Sequence, residues 1–196
     1  MKTGLFFGSF NPIHIGHMAI ANYIAEYTDL REIWFVVSPQ NPLKLKDSLL
    51  DDRNRFYLVE LAIGNDLRFR ASDIEFSLPR PSYTIDTMAY LSEKYPERDF
   101  TLIMGEDNLN TLHKWKNAAE LVKRYPLIVY PRLNPGRKSS RKLQDILVTA
   151  SVTEVKAPLM ESSGTFIRHA IREGKDLSWY VPSPAWNYIT EMHFYK

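Results

Sequence analysis

Two histidines, His14 and His17, are the first residues in this sequence whose type and spacing suggest chemistry. They are three positions apart with Gly16 between them. On a helix this spacing places both imidazoles on one face, about one turn apart. Neighbouring imidazoles can donate hydrogen bonds to phosphoryl oxygens and offset charge that develops there. Gly16 is expected to keep that face uncluttered.

The histidines follow a short apolar run, Lys2 to Phe7, which is typical of a buried strand. Gly8 lets the backbone approach a ligand closely, and Asn11-Pro12 fits a turn that begins a helix. The first turn of a helix has N–H groups without intrahelical partners and a positive dipole end. The segment Gly8–His17 is therefore predicted to bind a polyanion such as a triphosphate.

Taken singly, these histidines have other interpretations. His17 continues an apolar stripe through Ile20 and Ile24, as a histidine satisfied within the core would do. Two histidines at this spacing could also ligate a metal ion, although the chain has no cysteine and no H-E-x-x-H pattern to complete a zinc site. The phosphate-binding patterns G-x-x-x-x-G-K-[ST] and G-x-G-x-x-G are absent. The pattern of all ten residues at a strand end favours the phosphate interpretation.

Apolar runs typical of strands alternate with segments of helical periodicity along most of the chain. This alternation predicts a three-layer α/β sandwich with a mostly parallel sheet, in a single domain over residues 1–196 with a helical part from about 162. The predicted strands are Lys2–Phe7, Glu32–Val37, Leu67–Ala71, Ile74–Phe76, Asp99–Met104, Leu127–Tyr130 and Val152–Val155. The predicted helices run through Ile13–Ile24, Phe56–Ile63, Tyr83–Tyr95, the region near Leu109, Ala118–Tyr125, Thr165–Arg172 and Pro184–Met192.

In parallel sheets, ligands lie beyond the carboxyl ends of the strands. This rule points to three segments that follow predicted strands, namely Gly8–His17, Ser38–Lys46 and Gly105–Trp115. The basic cluster Arg132–Lys142 is interpreted as a solvated surface loop, because runs of surface charge are common.

Composition limits the partners of the chain. The 44% hydrophobic content of 196 residues is enough for a sizeable core, and the net charge of +2 gives no sign of nucleic-acid or membrane binding. Apolar runs such as Ile33–Val37 are far shorter than the roughly 20 residues of a membrane span, and the N-terminal apolar segment is too short for a signal peptide. We expect a soluble cytoplasmic protein whose partners are small molecules.

The segment Gly8–His17 resembles the G-x-F-x-P-x-H-x-G-H signature of the nucleotidylyltransferase superfamily, and more closely its bacterial nicotinate-nucleotide adenylyltransferases. Further matches follow in the family's order, from residue 4 to about 172. They are Ser38-Pro39 with Asn41–Lys44, the arginine-led segment Arg53–Ala62, Ser82–Thr87 (S-Y-T-x-x-T), Ile103–Asp107 with Trp115 (G-x-D…W), and Ser163–Arg168 (S-S-T-x-I-R). Gly164 departs from the last motif, where a second serine is usual, so one hydroxyl contact to phosphate is in question.

The resemblance implies a Rossmann-like fold and a reaction that joins nicotinate mononucleotide to the AMP part of ATP. The products are pyrophosphate and nicotinate adenine dinucleotide, the precursor of NAD. Because the attacking phosphate oxygen is already anionic, the reaction needs alignment and charge neutralisation rather than a general base. Mg²⁺ is expected to accompany ATP, held mainly by the substrate phosphates and not by protein ligands.

The resemblance also implies a set of residues that bind ATP. His14, His17 and Arg168 are expected to be catalytic, with His14 or its neighbour stabilising the α-phosphoryl transition state and Arg168 forking onto phosphate oxygens. Arg168 could instead form a surface ion pair with a residue such as Glu173. The other residues implied in ATP binding are Gly8, Ser9, Phe10, Gly16, Lys44, Gly105, Asp107, Ser163 and Thr165.

The mononucleotide is expected to bind at Tyr83 and Thr84, through backbone amides at a helix start. Trp115 is expected to stack on the pyridine ring, although a lone tryptophan is more often a core residue. Arg132 matches a family arginine that follows a strand, and its ligand stays open.

Four alternatives differ in substrate or class. Two are adenylyltransferases that act on nicotinamide mononucleotide or on phosphopantetheine. A third is a fragment of a class I aminoacyl-tRNA synthetase, because His14–His17 spells the HIGH element of that class, although no K-M-S-K-S-like stretch follows. The fourth is a nucleotide-binding module without catalytic activity.

Overall fold

The computed structural model describes residues 1–39, 49–133 and 140–196. Within these residues, six strands form one all-parallel sheet in the order β3-β2-β1-β4-β5-β6. The strands are β1 (Lys2–Gly8), β2 (Glu32–Val37), β3 (Phe69–Ser72), β4 (Asp99–Gly105), β5 (Leu127–Tyr130) and β6 (Val152–Glu154). The helices are α1 (Ile15–Tyr27), α2 (Asp52–Ile63), α3 (Thr84–Lys94), α4 (Glu106–Thr111), α5 (Ala118–Arg124), α6 (Arg141–Leu147), α7 (Gly164–Arg172) and α8 (Ser183–Glu191).

The strand order changes direction at β1, which lies between β2 and β4. In open parallel sheets, a crevice forms at such a switch point, beyond the carboxyl ends of the two central strands. Here β1 ends at Gly8 and β4 ends at Gly105. The fold therefore places two of the three segments predicted to bind ligands beside each other.

Two apolar layers cover the two faces of the sheet, because side chains alternate along each strand. Phe6 of β1 packs with Ile20 and Ile24 of α1 on one face. Its neighbour Leu5 packs with Met88 of α3 and Leu121 of α5 on the other face. The predicted three-layer, Rossmann-like α/β fold is confirmed, and the sheet is wholly parallel.

The structure corrects two predicted elements. Ile74–Phe76 is a short 3₁₀ helix and not a strand, with the Phe76 N–H donating to the Asp73 carbonyl at 2.8 Å. The basic cluster Arg132–Lys142 is not a loop throughout, since α6 begins at Arg141 after Ser140, whose hydroxyl accepts from the Leu143 N–H at 3.3 Å. Leu143 is buried, and Ile146 and Leu147 are partly buried against the same apolar layer, so the second half of this helix is attached to the core.

None of the helices in the part of the chain that the structure describes is long and apolar enough to cross a membrane. Lys44, with the rest of the Asn41–Lys44 match, lies outside the described residues.

Candidate functional site

The two predicted histidines lie together at the start of α1. His14 is the N-cap residue and His17 is the third residue of the helix. The backbone N–H of His14 donates to His17 Nδ1 at 3.3 Å, and the rings stack with centroids 3.7 Å apart. The predicted shared face exists, although His14 precedes the helix instead of lying within it.

His14 is the more buried of the two histidines. Its side chain is 5% exposed, and Ser162 Oγ lies 3.0 Å from its Nδ1. Burial, helped by the positive charge of Arg132, lowers the pKa of His14 to about 4. The imidazole is therefore neutral near pH 7.

Arg168, near the other end of the chain, contacts the loop between β1 and α1 that precedes the histidines. Arg168, on α7, donates through Nη1 to the backbone carbonyl of Asn11 at 2.7 Å. Its Nη2 lies 3.5 Å from Thr165 Oγ1. Ser163 caps this helix, with its hydroxyl accepting from the Phe166 N–H at 3.2 Å. The structure thus joins the β1–α1 loop to the start of α7. We call His14, His17, Ser162 and Arg168 the histidine cluster.

Gly164, the departure from the family motif, lies where α7 meets the β1–α1 loop. A Cβ atom at this position would lie 2.6 Å from the Asn11 carbonyl oxygen, which is part of the backbone. A serine would therefore push the loop and the helix apart. The missing hydroxyl is explained by this close approach.

Gly16 is required for a similar reason. A Cβ atom there would lie 2.4 Å from Ser162 Oγ and 3.1 Å from the His14 ring. Gly16 therefore allows Ser162, in the segment before α7, to approach α1. The sequence predicted only that Gly16 would leave the face between the two histidines open.

Phe10, one of the residues implied in ATP binding, has its ring inside the core. Its side chain is 1% exposed, and its ring packs edge-on against His17, Phe6 and Phe35 at centroid distances of 5.1, 5.9 and 5.6 Å. The ring belongs to the core and supports His17. Only the Phe10 backbone can face a ligand.

A second pair of charges lies beyond β4 and β5. Gly105 ends β4, and Asp107 Oδ1 is 3.4 Å from Arg132 Nε. Arg132 also lies over the ring of Tyr130, 5.4 Å from its centroid. Since Arg132 contributes to the lowered pKa of His14, its charge acts on the histidine cluster.

A cleft of about 200 Å³ opens beside these strand ends. Tyr83, Thr84 and Trp115 line it together with the backbone segment at Gly8 and Ser9. The remaining lining residues are Phe7, Ser38, Glu75, Ser82, Ile85, Leu102, Ile103, Met104, Asn108, Lys114 and Lys116. His14, His17 and Arg168 do not line this cleft, whereas Gly8 and Ser9, which begin the loop that leads to the histidines, do.

The cleft wall contains a buried acid, Glu75, that sequence reasoning did not select. Glu75 is 2% exposed, and its two carboxylate oxygens accept hydrogen bonds from Thr87 Oγ1 at 2.7 Å and Ser82 Oγ at 3.1 Å. Tyr83, the N-cap residue of α3, lies between these two partners in the chain. Glu75 therefore holds the start of α3. Its only sequence signal is that both partners belong to the S-Y-T-x-x-T match.

Arg55 was also missed as an individual residue, although it lies within the arginine-led match. It is fully buried and donates to the carbonyls of Ser9 at 2.5 Å, Ser38 at 2.8 Å and Pro39 at 3.2 Å. Burial lowers the pKa of Arg55. The Arg55 guanidinium thus holds the loop after β1 and the loop after β2 together.

Asn11 links the site to the end of the chain. Its Oδ1 accepts from the Tyr195 hydroxyl at 2.8 Å and from the Leu50 N–H at 3.2 Å. Because its carbonyl also accepts from Arg168, Asn11 fixes the β1–α1 loop from three directions.

Protein ligands for a metal ion are sparse near the site. Among residues 1–39, 49–133 and 140–196, no group of three His, Cys, Asp or Glu side chains could hold an ion. The nearby carboxylate of Asp107 is already paired with Arg132.

Comparison with known proteins gives a consistent result. The cytidylyltransferase-like family model matches residues 5–170. A protein of Christiangramia forsetii named "probable nicotinate-nucleotide adenylyltransferase" is 49% identical, over 100% of this chain and 98% of its own length. A Bacteroides thetaiotaomicron protein of the same name is 47% identical, over 97% of this chain and 92% of its own length.

Solved structures share the fold at lower sequence identity. Plasmodium falciparum nicotinic acid mononucleotide adenylyltransferase complexed with NaAD is 18% identical, with a TM-score of 0.78, over 99% of this chain and 97% of its own. The same enzyme complexed with APC gives a TM-score of 0.76 at 18% identity, over 99% and 96% of the two chains.

Proposed function

The chain belongs to the nicotinate-nucleotide adenylyltransferase family, and we propose that it transfers the AMP part of ATP to nicotinate mononucleotide. The products are nicotinate adenine dinucleotide and pyrophosphate, which places the enzyme in NAD biosynthesis. The relatives at 47% to 49% identity, matched over nearly the whole chain, support this activity. We propose the cytoplasm as the location of this reaction.

The observation that carries the proposal is the position of Gly8 and Ser9. They line the cleft, and in the chain they begin the loop that leads from β1 to His14 and His17. A triphosphate at the cluster and a mononucleotide in the cleft would therefore meet at the carboxyl end of β1. Alignment of two bound reactants is the main requirement when the nucleophile is already an anionic phosphate.

The histidine cluster would hold ATP through directional donors. His17 Nδ1 accepts from the His14 backbone, so a neutral His17 carries its proton on Nε2 and can donate to phosphate. Arg168 adds a fixed positive charge at the start of α7, where Ser163 and Thr165 also lie. These groups would bind the α-phosphoryl oxygens and the departing pyrophosphate, whose charge increases during transfer.

The cleft would hold the mononucleotide. Trp115 is half-buried on the cleft wall, where its ring is available to stack on a pyridine. The start of α3, at Thr84, presents helix N–H groups that favour an anion such as the nicotinate carboxylate. The acid form of the pyridine therefore suits this cleft better than the uncharged amide.

Mg²⁺ would enter as the complex with ATP. It would neutralise phosphate charge, and no described protein ligand cluster is required for it. The chain's own task is to orient the two substrates and to donate hydrogen bonds.

A pyrophosphate-release assay tests the proposal directly. The purified protein would receive ATP and Mg²⁺ with nicotinate mononucleotide, nicotinamide mononucleotide or phosphopantetheine in separate reactions. We expect turnover with the nicotinate substrate and a much lower kcat/KM with the other two. A preference for the amide or for phosphopantetheine would contradict the substrate assignment, and no turnover with any acceptor would contradict enzymatic function.

A further inference from the structure

The family resemblance implies no role for Ser162, although this residue contacts His14. The two residues are 148 positions apart in the chain, yet their side chains are 7% and 5% exposed and their polar atoms are 3.0 Å apart. Ser162 precedes α7 and His14 precedes α1, so this bond joins the loops that lead into both helices. Gly16 permits this approach, because a Cβ atom there would collide with Ser162 Oγ.

The direction of this hydrogen bond decides what His14 can do. A hydroxyl can donate to an imidazole nitrogen or accept from one, and the choice sets which ring nitrogen carries the proton. Burial lowers the pKa of His14 to about 4, so near pH 7 the ring has one proton. If Ser162 donates to Nδ1, that proton lies on Nε2, which can then donate to a phosphoryl oxygen. If Nδ1–H donates to Ser162, Nε2 presents a lone pair that repels the oxygen.

His17 shows the arrangement that His14 would need. Its Nδ1 accepts from a backbone N–H, which can only donate, so in the neutral form of this ring the proton would lie on Nε2. The two rings are stacked with an angle of 28° between their planes. With the same protonation, His14 would give the polyanion a second donor from the same stack.

We propose that Ser162 is a positioning residue that donates its hydroxyl hydrogen to His14 Nδ1 and so keeps the proton of His14 on Nε2. This inference rests on the proposed function, in which His14 donates to the phosphates of ATP. In this role Ser162 acts through His14 and not on the substrate.

Nitrogen NMR of the wild-type protein tests the proposal without any variant. Two-bond ¹⁵N–¹H spectra of ¹⁵N-histidine-labelled protein near pH 7 distinguish a protonated ring nitrogen from an acceptor nitrogen. Comparison with His14→Gln assigns the His14 signals. We expect His14 to have an acceptor Nδ1 and a protonated Nε2. A protonated Nδ1 would overturn the proposal.

Ser162→Ala tests the consequence for catalysis. We expect kcat to fall roughly 10-fold to 100-fold, the range found when a group that orients a functional histidine is removed, with smaller changes in both KM values. The spectrum should show His14 as a mixture of the two neutral forms. The matched control is Ser92→Ala, because Ser92 is half-buried and its hydroxyl bonds to Met88 and Tyr125, away from the site.

The outcomes separate the two claims. Wild-type protein that is inactive on nicotinate mononucleotide would contradict the proposed function, whatever the spectrum shows. Active wild-type protein, with Ser162→Ala equally active and its His14 proton still on Nε2, would overturn the role of Ser162 alone. A variant that unfolds leaves the wild-type spectrum as the deciding result.

Discussion

In the histidine cluster, Arg168 and Ser162 bond to residues about 150 positions away in the chain, whereas in the cleft the residues expected to contact the pyridine are partly exposed. Arg168 reaches the Asn11 carbonyl, and Ser162 reaches His14 across two loops. In the cleft, Tyr83 remains 36% exposed and Trp115 is half-buried. Lys116 lies over Tyr83 and pairs with Asp86 at the surface.

This difference matches the chemistry proposed for each region. Transition-state charge is best stabilised by groups that do not reorganise. The hydrogen bonds of Arg168 to Asn11 and of Ser162 to His14 restrain the cluster in this way. The cleft needs a stacking surface and helix N–H groups, which bind substrate and transition state about equally. Changes at the cluster should therefore lower kcat, while changes at the cleft should raise KM.

The largest effect is expected for His17→Ala. Removing one donor to transition-state charge should lower kcat/KM roughly 10²-fold to 10³-fold. Steady-state kinetics with both substrates measures the loss, and thermal melting checks the fold. His169→Ala is the control, because His169 is exposed on α7 and pairs with Glu173. A folded His17→Ala enzyme as fast as wild type would show that His17 is only a core residue.

The buried His14 should make stability depend on pH. Its pKa is about 4 in the folded protein against 6.5 for an ordinary histidine, so between these values the unfolded chain binds more protons. The free energy of unfolding should therefore decrease by about 3 kcal/mol as the pH falls from about 6.5 to about 4. Urea unfolding at several pH values measures this decrease. His14→Gln should remove this component, and equal pH slopes for the two proteins would contradict the burial effect.

Glu75→Ala should affect the cleft more than the cluster. Two hydroxyl groups at the start of α3 lose their buried acceptor, which should destabilise the fold by about 1–3 kcal/mol. KM for nicotinate mononucleotide should rise, with KM for ATP nearly unchanged. Glu75→Gln is the conservative control, since its amide keeps one acceptor oxygen for Ser82 or Thr87. An equal rise in both KM values would contradict a role confined to the cleft.

The smallest effect is expected for Trp115→Ala. Loss of one stacking surface should raise KM for the mononucleotide about tenfold, with kcat and KM for ATP changed less. Trp179→Ala is the matched control, because Trp179 is 90% exposed away from the cleft residues. A change in kcat larger than the change in KM would show that Trp115 supports the fold and not the substrate.

Local sequence patterns predicted the parts of the molecule that depend on neighbours in the chain. The central strands are continuous apolar runs, so their positions and their burial on both faces followed directly from the sequence. The stacking of His14 and His17 also follows from their spacing at a helix start. By contrast, α6 was missed because its first residues, Arg141 and Lys142, end a basic run that was interpreted as a loop, although the apolar residues Leu143, Ile146 and Leu147 follow it.

Contacts between distant segments could not be predicted. Ser162, Glu75 and Arg55 are residue types that are usually exposed, and nothing near them in the sequence indicates burial. The contacts of Arg55 and Ser162 depend on loops that the fold brings together. Glu75 instead bonds to Ser82 and Thr87, 7 and 12 positions away in the chain. Phe10 belongs to the motif implied in ATP binding, and its ring packs in the core against His17, so any contact with a nucleotide would come from its backbone.

The proposal that the histidine cluster binds the triphosphate of ATP can be tested with a crystal structure of the protein bound to a non-hydrolysable ATP analogue and Mg²⁺. We expect the α-phosphate to lie within hydrogen-bond distance of His14 or His17. The outer phosphates should contact Ser163, Thr165 and Arg168. A triphosphate bound in the cleft beside Trp115, with none of these residues in contact, would contradict this proposal.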